Sequence, residues 1–123
     1  MRSEDAANWL METYKVDDPA WGEAITLLPH RSWAKADQLK LARYYLQRIP
    51  YASERPYKAF ASFMSIRNLV KVLREYLPRV STDRLSLLHY HLAPLLKQHA
   101  KNDGDVEESK ELLAEIHRGM PPT

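Results

Sequence analysis

Three groups of residues in this chain have types and spacings that could do chemistry: the histidines, the acidic pairs and a set of basic residues. His89 and His91 lie two positions apart. On a helix their side chains diverge by roughly 200° and cannot hold one ion together. His91 and His99 are eight apart, two turns along an axis. His89 and His99 flank an apolar stripe, which suits hydrogen-bonded edge histidines, and His117 sits where a helix C-terminus favours a cation. Glu111 and Glu115 are spaced i, i+4, but on a face that reads as solvated, with Lys110 beside Glu107 and Glu111 as a surface-pair partner. Glu54 and Glu75 stand isolated in a basic segment, where intramolecular ion pairs are the expected role. Phosphate-binding glycine loops, a HExxH helix and a nucleophile elbow are missing. Asn102-Asp103-Gly104-Asp105 is too short for a calcium loop, and no cysteine is present. These residues give no catalytic group, no metal site and no cofactor, so the chain is read as non-enzymatic.

The basic residues give a clearer pattern. Arg67, Lys71 and Arg74 fall at i, i+4 and i+7, one stripe of a helix, opposite Leu69, Val70 and Leu73. Lys40 and Arg43 form a second short stripe beside Tyr44 and Gln47. Such side chains neutralise carboxylates or phosphates, and an exposed tyrosine could stack on a base. No recognition-helix or RNP-type signature accompanies them. Partner binding is assigned to Lys40, Arg43, Tyr44, Arg67, Lys71 and Arg74.

The charge distribution sharpens this assignment. The chain has 123 residues, a formal net charge of +2 and 45% hydrophobic residues. Residues 1–29 sum to −4, residues 30–101 to +10 and residues 102–123 to −4. A basic centre between acidic ends either faces an acidic partner or is covered by its own ends. The apolar runs are far too short for a membrane span. The N-terminus is polar and acidic, unlike a secretory signal, so a cytoplasmic location is expected.

The elements that must position these residues read as helices. Leu and Ala dominate over Val and Ile, only three glycines occur, and eight prolines punctuate segment borders. A first helix is expected from about Ser3, as cap, to Lys15. A second follows Asp18 and Pro19, with Trp21, Ala24, Ile25 and Leu28 inward. A third covers about Trp33 to Ile49, with Leu39, Ala42, Tyr45, Leu46 and Ile49 inward. Trp33 is read as a corner staple. Between Ser53 and Leu77 the apolar face turns by about half a revolution after Met64, which favours a break with Ser65 as a new cap, or a sharp bend, over one straight helix buried on two faces. Leu85, Leu88, Leu92, Leu95 and Leu96 define the next helix, with a kink or boundary expected at Pro94. Residues 102–105 read as a loop. The last helix spans about Val106 to Arg118, with Val106, Leu113 and Ile116 inward.

An internal echo links Leu28-Pro29-x-x-Ser32 to Leu77-Pro78-x-x-Ser81. It also links Asp37-x-Leu39-x-Leu41-x-x-Tyr44-x-Leu46 to Asp83-x-Leu85-x-Leu87-x-x-Tyr90-x-Leu92. Its period resembles that of HEAT-type helical hairpins. The expected fold is therefore all-α: one compact domain, residues 1–123, of five to seven helices, in stacked HEAT-like hairpins or an irregular bundle. The expected function is a helical binding module, an adaptor, regulator or immunity-type inhibitor, that presents a basic surface to an acidic protein partner. Sequence-tolerant RNA or DNA binding through the same surface is the alternative, and a helical enzyme without a known motif a third. No membrane partner is expected, and both monomer and homodimer fit.

Overall fold

Helix boundaries follow from proline, caps and apolar spacing, and a computed structural model describes them over residues 2–122. Seven α-helices form one compact arrangement, with no strand among the described residues: α1 (Ser3–Thr13), α2 (Trp21–Leu27), α3 (Lys35–Tyr45), α4 (Arg55–Ala61), α5 (Ile66–Tyr76), α6 (Leu85–His99) and α7 (Asp103–Gly119). The odd-numbered helices lie side by side in chain order, α1 against α3, α3 against α5, and α5 against α7. The even-numbered helices do the same, α2 against α4 and α4 against α6. Two layers result, with α7 also packed along α6. Such stacking suits helices that are apolar on one side only, because each helix covers the stripe of the next.

The core runs between the layers. Tyr45, Tyr57, Phe60, Leu28, Leu41, Leu46, Leu69, Leu88, Leu92, Leu96 and Leu112 are among its fully buried side chains. The expected inward leucines of α6 are all buried. On α3 the inward stripe includes Leu41, which the periodic reading left out, while Leu39 is half-buried. On α7 the inward set is Ser109, Leu112 and Ile116, with Leu113 partly buried. Val106, expected inside, is exposed at the start of that helix.

The break after Met64 is present. Ser65 is extended and its Oγ accepts the Asn68 N–H at 3.1 Å, so α5 starts afresh after α4. Pro94 does not end α6, which runs through it to His99. The expected loop at residues 102–105 is instead a helix start: Asn102 is the N-cap of α7 and accepts the Asp105 N–H at 2.8 Å. Ser3 is not a cap either. It is the first residue of α1, donates to buried Asp37 at 2.6 Å and accepts the Ala34 N–H at 2.9 Å. That contact ties the first helix to the start of α3, where a carboxylate is favoured by the helix dipole.

The two Leu-Pro segments of the echo fold alike. Leu28–His30 and Leu77–Arg79 each form one 3-10 turn directly after a helix. The helices that follow sit differently: α3 lies between α1 and α5, and α6 packs on α4 and α7. The shared sequence thus encodes a shared corner, while the surroundings of the two helices differ.

Tyrosines lace the loop between α3 and α4. The Tyr45 hydroxyl directs its one hydrogen between the Leu10 and Tyr14 carbonyls, at 3.0 and 2.7 Å. The Tyr51 hydroxyl donates to the Tyr45 carbonyl, and the Tyr57 hydroxyl accepts the Tyr51 N–H at 2.9 Å. Trp21 stacks on Tyr51 with ring centroids 5.1 Å apart, and the Ile49–Pro50 peptide bond is cis. Burial raises all three phenols, Tyr51 to about 12 and Tyr45 and Tyr57 further.

Candidate basic interface

The neighbouring helices α3 and α5 carry the six residues singled out in the sequence. Apolar spacing decides their orientation. Leu41, Ala42 and Tyr45 turn inward on α3, and Ile66, Leu69, Val70, Val72 and Leu73 turn inward on α5. The polar side of each helix is left outward. Two contacts join the helices on that side. Arg43 donates to Glu75 through Nε at 3.1 Å and Nη2 at 3.0 Å, and the Tyr76 hydroxyl donates to the Arg43 carbonyl at 2.6 Å. The hydrogen bonds from Arg43 hold the Glu75 carboxyl below the usual carboxylate range. Both side chains remain about two fifths exposed, so this pair orients more than it stabilises.

Arg74 turns away from the outer stripe toward α7. Its Nε donates to both carboxylate oxygens of Glu115, at 3.0 and 3.2 Å. Glu115 is therefore a half-buried ion-pair partner rather than part of a solvated acidic face. Lys40 bonds through Nζ to Asn8 of α1. The terminal helices thus reach the basic centre at particular residues, α1 through Asn8 and α7 through Glu115, with Glu108 and Glu111 also acting on Arg74. Arg67 and Lys71 are exposed, one turn apart on α5, and neither makes an ion pair among the described residues. Glu75 and Glu115 pair with two of the five cations and Glu108 and Glu111 of α7 also act on Arg74, so the positive excess rests on Lys40, Arg67 and Lys71.

Tyr44 does not join this surface as a free ring. It is half-buried and edge-on to Tyr45, and its hydroxyl accepts the Val16 N–H at 3.1 Å. The expected exposed tyrosine is thus corrected: the α1–α2 loop occupies its polar end and Tyr45 its face.

Glu75, Glu115 and Asn8 were not assigned to the site from sequence. Glu75 was legible as an ion-pair residue, while Glu115 and Asn8 lie 41 and 32 positions from their partners, beyond any helical spacing rule. Glu54, expected in an ion pair, is exposed and has none among the described residues. Trp33 is the corner expected of it. It is buried, its Nε1 donates to the Leu28 carbonyl at 2.9 Å, and the Arg31 guanidinium lies 4.9 Å from the ring centroid.

Away from this face, Trp9, Leu27, Tyr90 and Val106 are the exposed large apolar residues. Trp9 and Leu27 border a shallow groove of about 370 Å³ with Trp33. No group of three or more His, Asp or Glu residues among those described is placed to hold a metal ion. No described helix is long and apolar enough to cross a membrane. Comparison with protein-family models, with curated proteins and with solved structures finds no match.

Proposed function

We propose that the chain is a non-enzymatic helical binding module that presents the outer face of α3 and α5 to an acidic protein partner. The observation that carries this reading is the pair Arg67 and Lys71, exposed and outside any close ion pair among the described residues, with Lys71 near the Glu75 carboxylate that also holds Arg43. A site of this kind attracts carboxylates at long range and fixes a few of them at contact. The packed two-layer scaffold supports a preformed surface, so little ordering is needed on binding. With Tyr44 held by Val16 and Tyr45, and Tyr76 by the Arg43 carbonyl and the Arg79 guanidinium, neither ring is free for base stacking, which favours a protein over a single-stranded nucleic acid. Roles such as adaptor, regulator or inhibitor fit a small module that acts by occupancy. The cytoplasm is the proposed location.

The test is capture from a nuclease-treated lysate of the source cells, by wild type and by Arg67→Glu/Lys71→Glu. Retention of an acidic protein by wild type, reduced about tenfold or more by the reversal, is expected. Undiminished capture by the reversed chain refutes the site. Capture that disappears with nuclease, and that falls steeply with salt when RNA or DNA is added back, establishes the nucleic-acid reading instead.

A further inference from the structure

The groove between α6 and α7 has a different chemistry from the basic face. It holds about 450 Å³, within the range of small-molecule sites, and is more enclosed than the groove at Trp9. Ala93, Leu96, Ala100, Val106 and Leu113 supply an apolar lining, and Lys97 and Lys110 reach it from opposite helices. Two features separate it from an ordinary crease between helices.

The first is Ser109. It is 95% buried, it lines the groove, and its Oγ has no hydrogen-bond partner. A hydroxyl in that position is costly, and with its oxygen closed off it marks loose packing beneath the groove, not a contact for a ligand. The second is the charge. Both lysines are exposed and neither makes an ion pair or hydrogen bond among the described residues. Glu107, Glu108 and Glu111 flank Lys110 along α7, but none of them lines the groove. An apolar trough with an ammonium group on each wall matches a ligand with a hydrocarbon body and one anionic head.

We propose that this groove binds a free medium-chain fatty acid as its carboxylate. The chain lies along Leu96, Ala100 and Leu113, displacing water from apolar surface. The carboxylate sits between Lys97 and Lys110, where charge-assisted hydrogen bonds hold it. Val106, left exposed at the start of α7, is covered by the bound chain. This site is independent of the α3–α5 face, so its failure leaves the proposed function untouched.

The experiment titrates the full chain with decanoate below its micellar range, following backbone amide shifts by NMR and binding heat by calorimetry. Saturable shifts centred on α6 and α7 are expected. Decanol and a decyl trimethylammonium ion should bind more weakly, the cation most of all. Lys97→Glu/Lys110→Glu should weaken decanoate about tenfold or more, as loss of a charge-assisted hydrogen bond implies. Lys97→Gln/Lys110→Gln serves the same purpose if the reversal disturbs the helical circular dichroism. Val106→Trp, at an exposed position, should fill the mouth and block binding without unfolding the chain. The proposal is overturned by shifts that map to the Trp9 groove or by equal binding of the three amphiphiles. It is equally overturned by the absence of saturation, or by concentration-dependent self-association through α6 and α7 that decanoate does not compete with.

Discussion

Replacing Tyr45 by phenylalanine tests how the first helix is held to the rest of the stack. The ring is fully buried, so the substitution keeps the apolar contacts and removes one oxygen. That oxygen reaches two carbonyls of α1 and its C-terminal end, Leu10 at 3.0 Å and Tyr14 at 2.7 Å. The two acceptors are not equivalent. The Leu10 carbonyl also accepts the Tyr14 N–H at 2.9 Å and keeps that partner, whereas the Tyr14 carbonyl loses its closer donor in a partly buried site. A net hydrogen bond contributes about 0.5–1.5 kcal/mol, and a stranded buried acceptor adds to the loss. Tyr45→Phe should therefore cost about 1–2 kcal/mol. For a domain of this length that is a fall in Tm of about 4–8 °C. Urea denaturation followed by circular dichroism gives the value, with Tyr90→Phe as the control because Tyr90 is 73% exposed. The control should stay within about 0.5 kcal/mol of wild type. Equal midpoints for the two variants would refute the claim that the hydroxyl braces α1 against α3.

Two further outcomes follow from the same structure. The phenols of Tyr45, Tyr51 and Tyr57 ionise at higher pH in the folded chain than the ordinary value of about 10, because burial opposes the charged form. Their contribution to stability is therefore complete below about pH 10 and is lost as the pH rises toward and beyond 12. Tyrosinate absorbance of this buried set should rise together with loss of helix, and all seven tyrosines titrating near pH 10 with the helices intact would contradict it. Ser65→Ala should cost about 1 kcal/mol through the Asn68 N–H it leaves without its cap, while Ser65→Gly should cost only a few tenths. An unchanged urea midpoint for the alanine variant would show that α5 starts without that cap.

The sequence disclosed the elements better than their joints. Leucine spacing placed the buried face of α6, and the half-turn of apolar phase after Met64 placed the break that Ser65 caps. Both signals are local, set by helical geometry and one cap. Asn102 was less legible because an Asn-Asp-Gly-Asp run serves equally as a turn or as a helix start, and only the Asp105 N–H decides between them. The basic set was legible as residue types, but not its division into anchored and unpaired cations. Arg74 meets Glu115 only because α7 returns along α5, a relation with no periodic trace in the chain. The tyrosines were hardest to read. Their task is to satisfy loop carbonyls, and no spacing rule marks a phenol as a partner for backbone over thirty positions away.

The order of the layers has a kinetic consequence. Each helix packs mainly on those one or two places along the chain, from the α1–α3 contact to the α6–α7 contact. Forming such contacts two places apart closes segments of about thirty to forty residues, not a loop spanning the whole domain, and the entropy of closure grows only slowly with length. A topology of this kind places the protein among fast folders, with a contact formed anywhere in the stack serving as the template for the next helix.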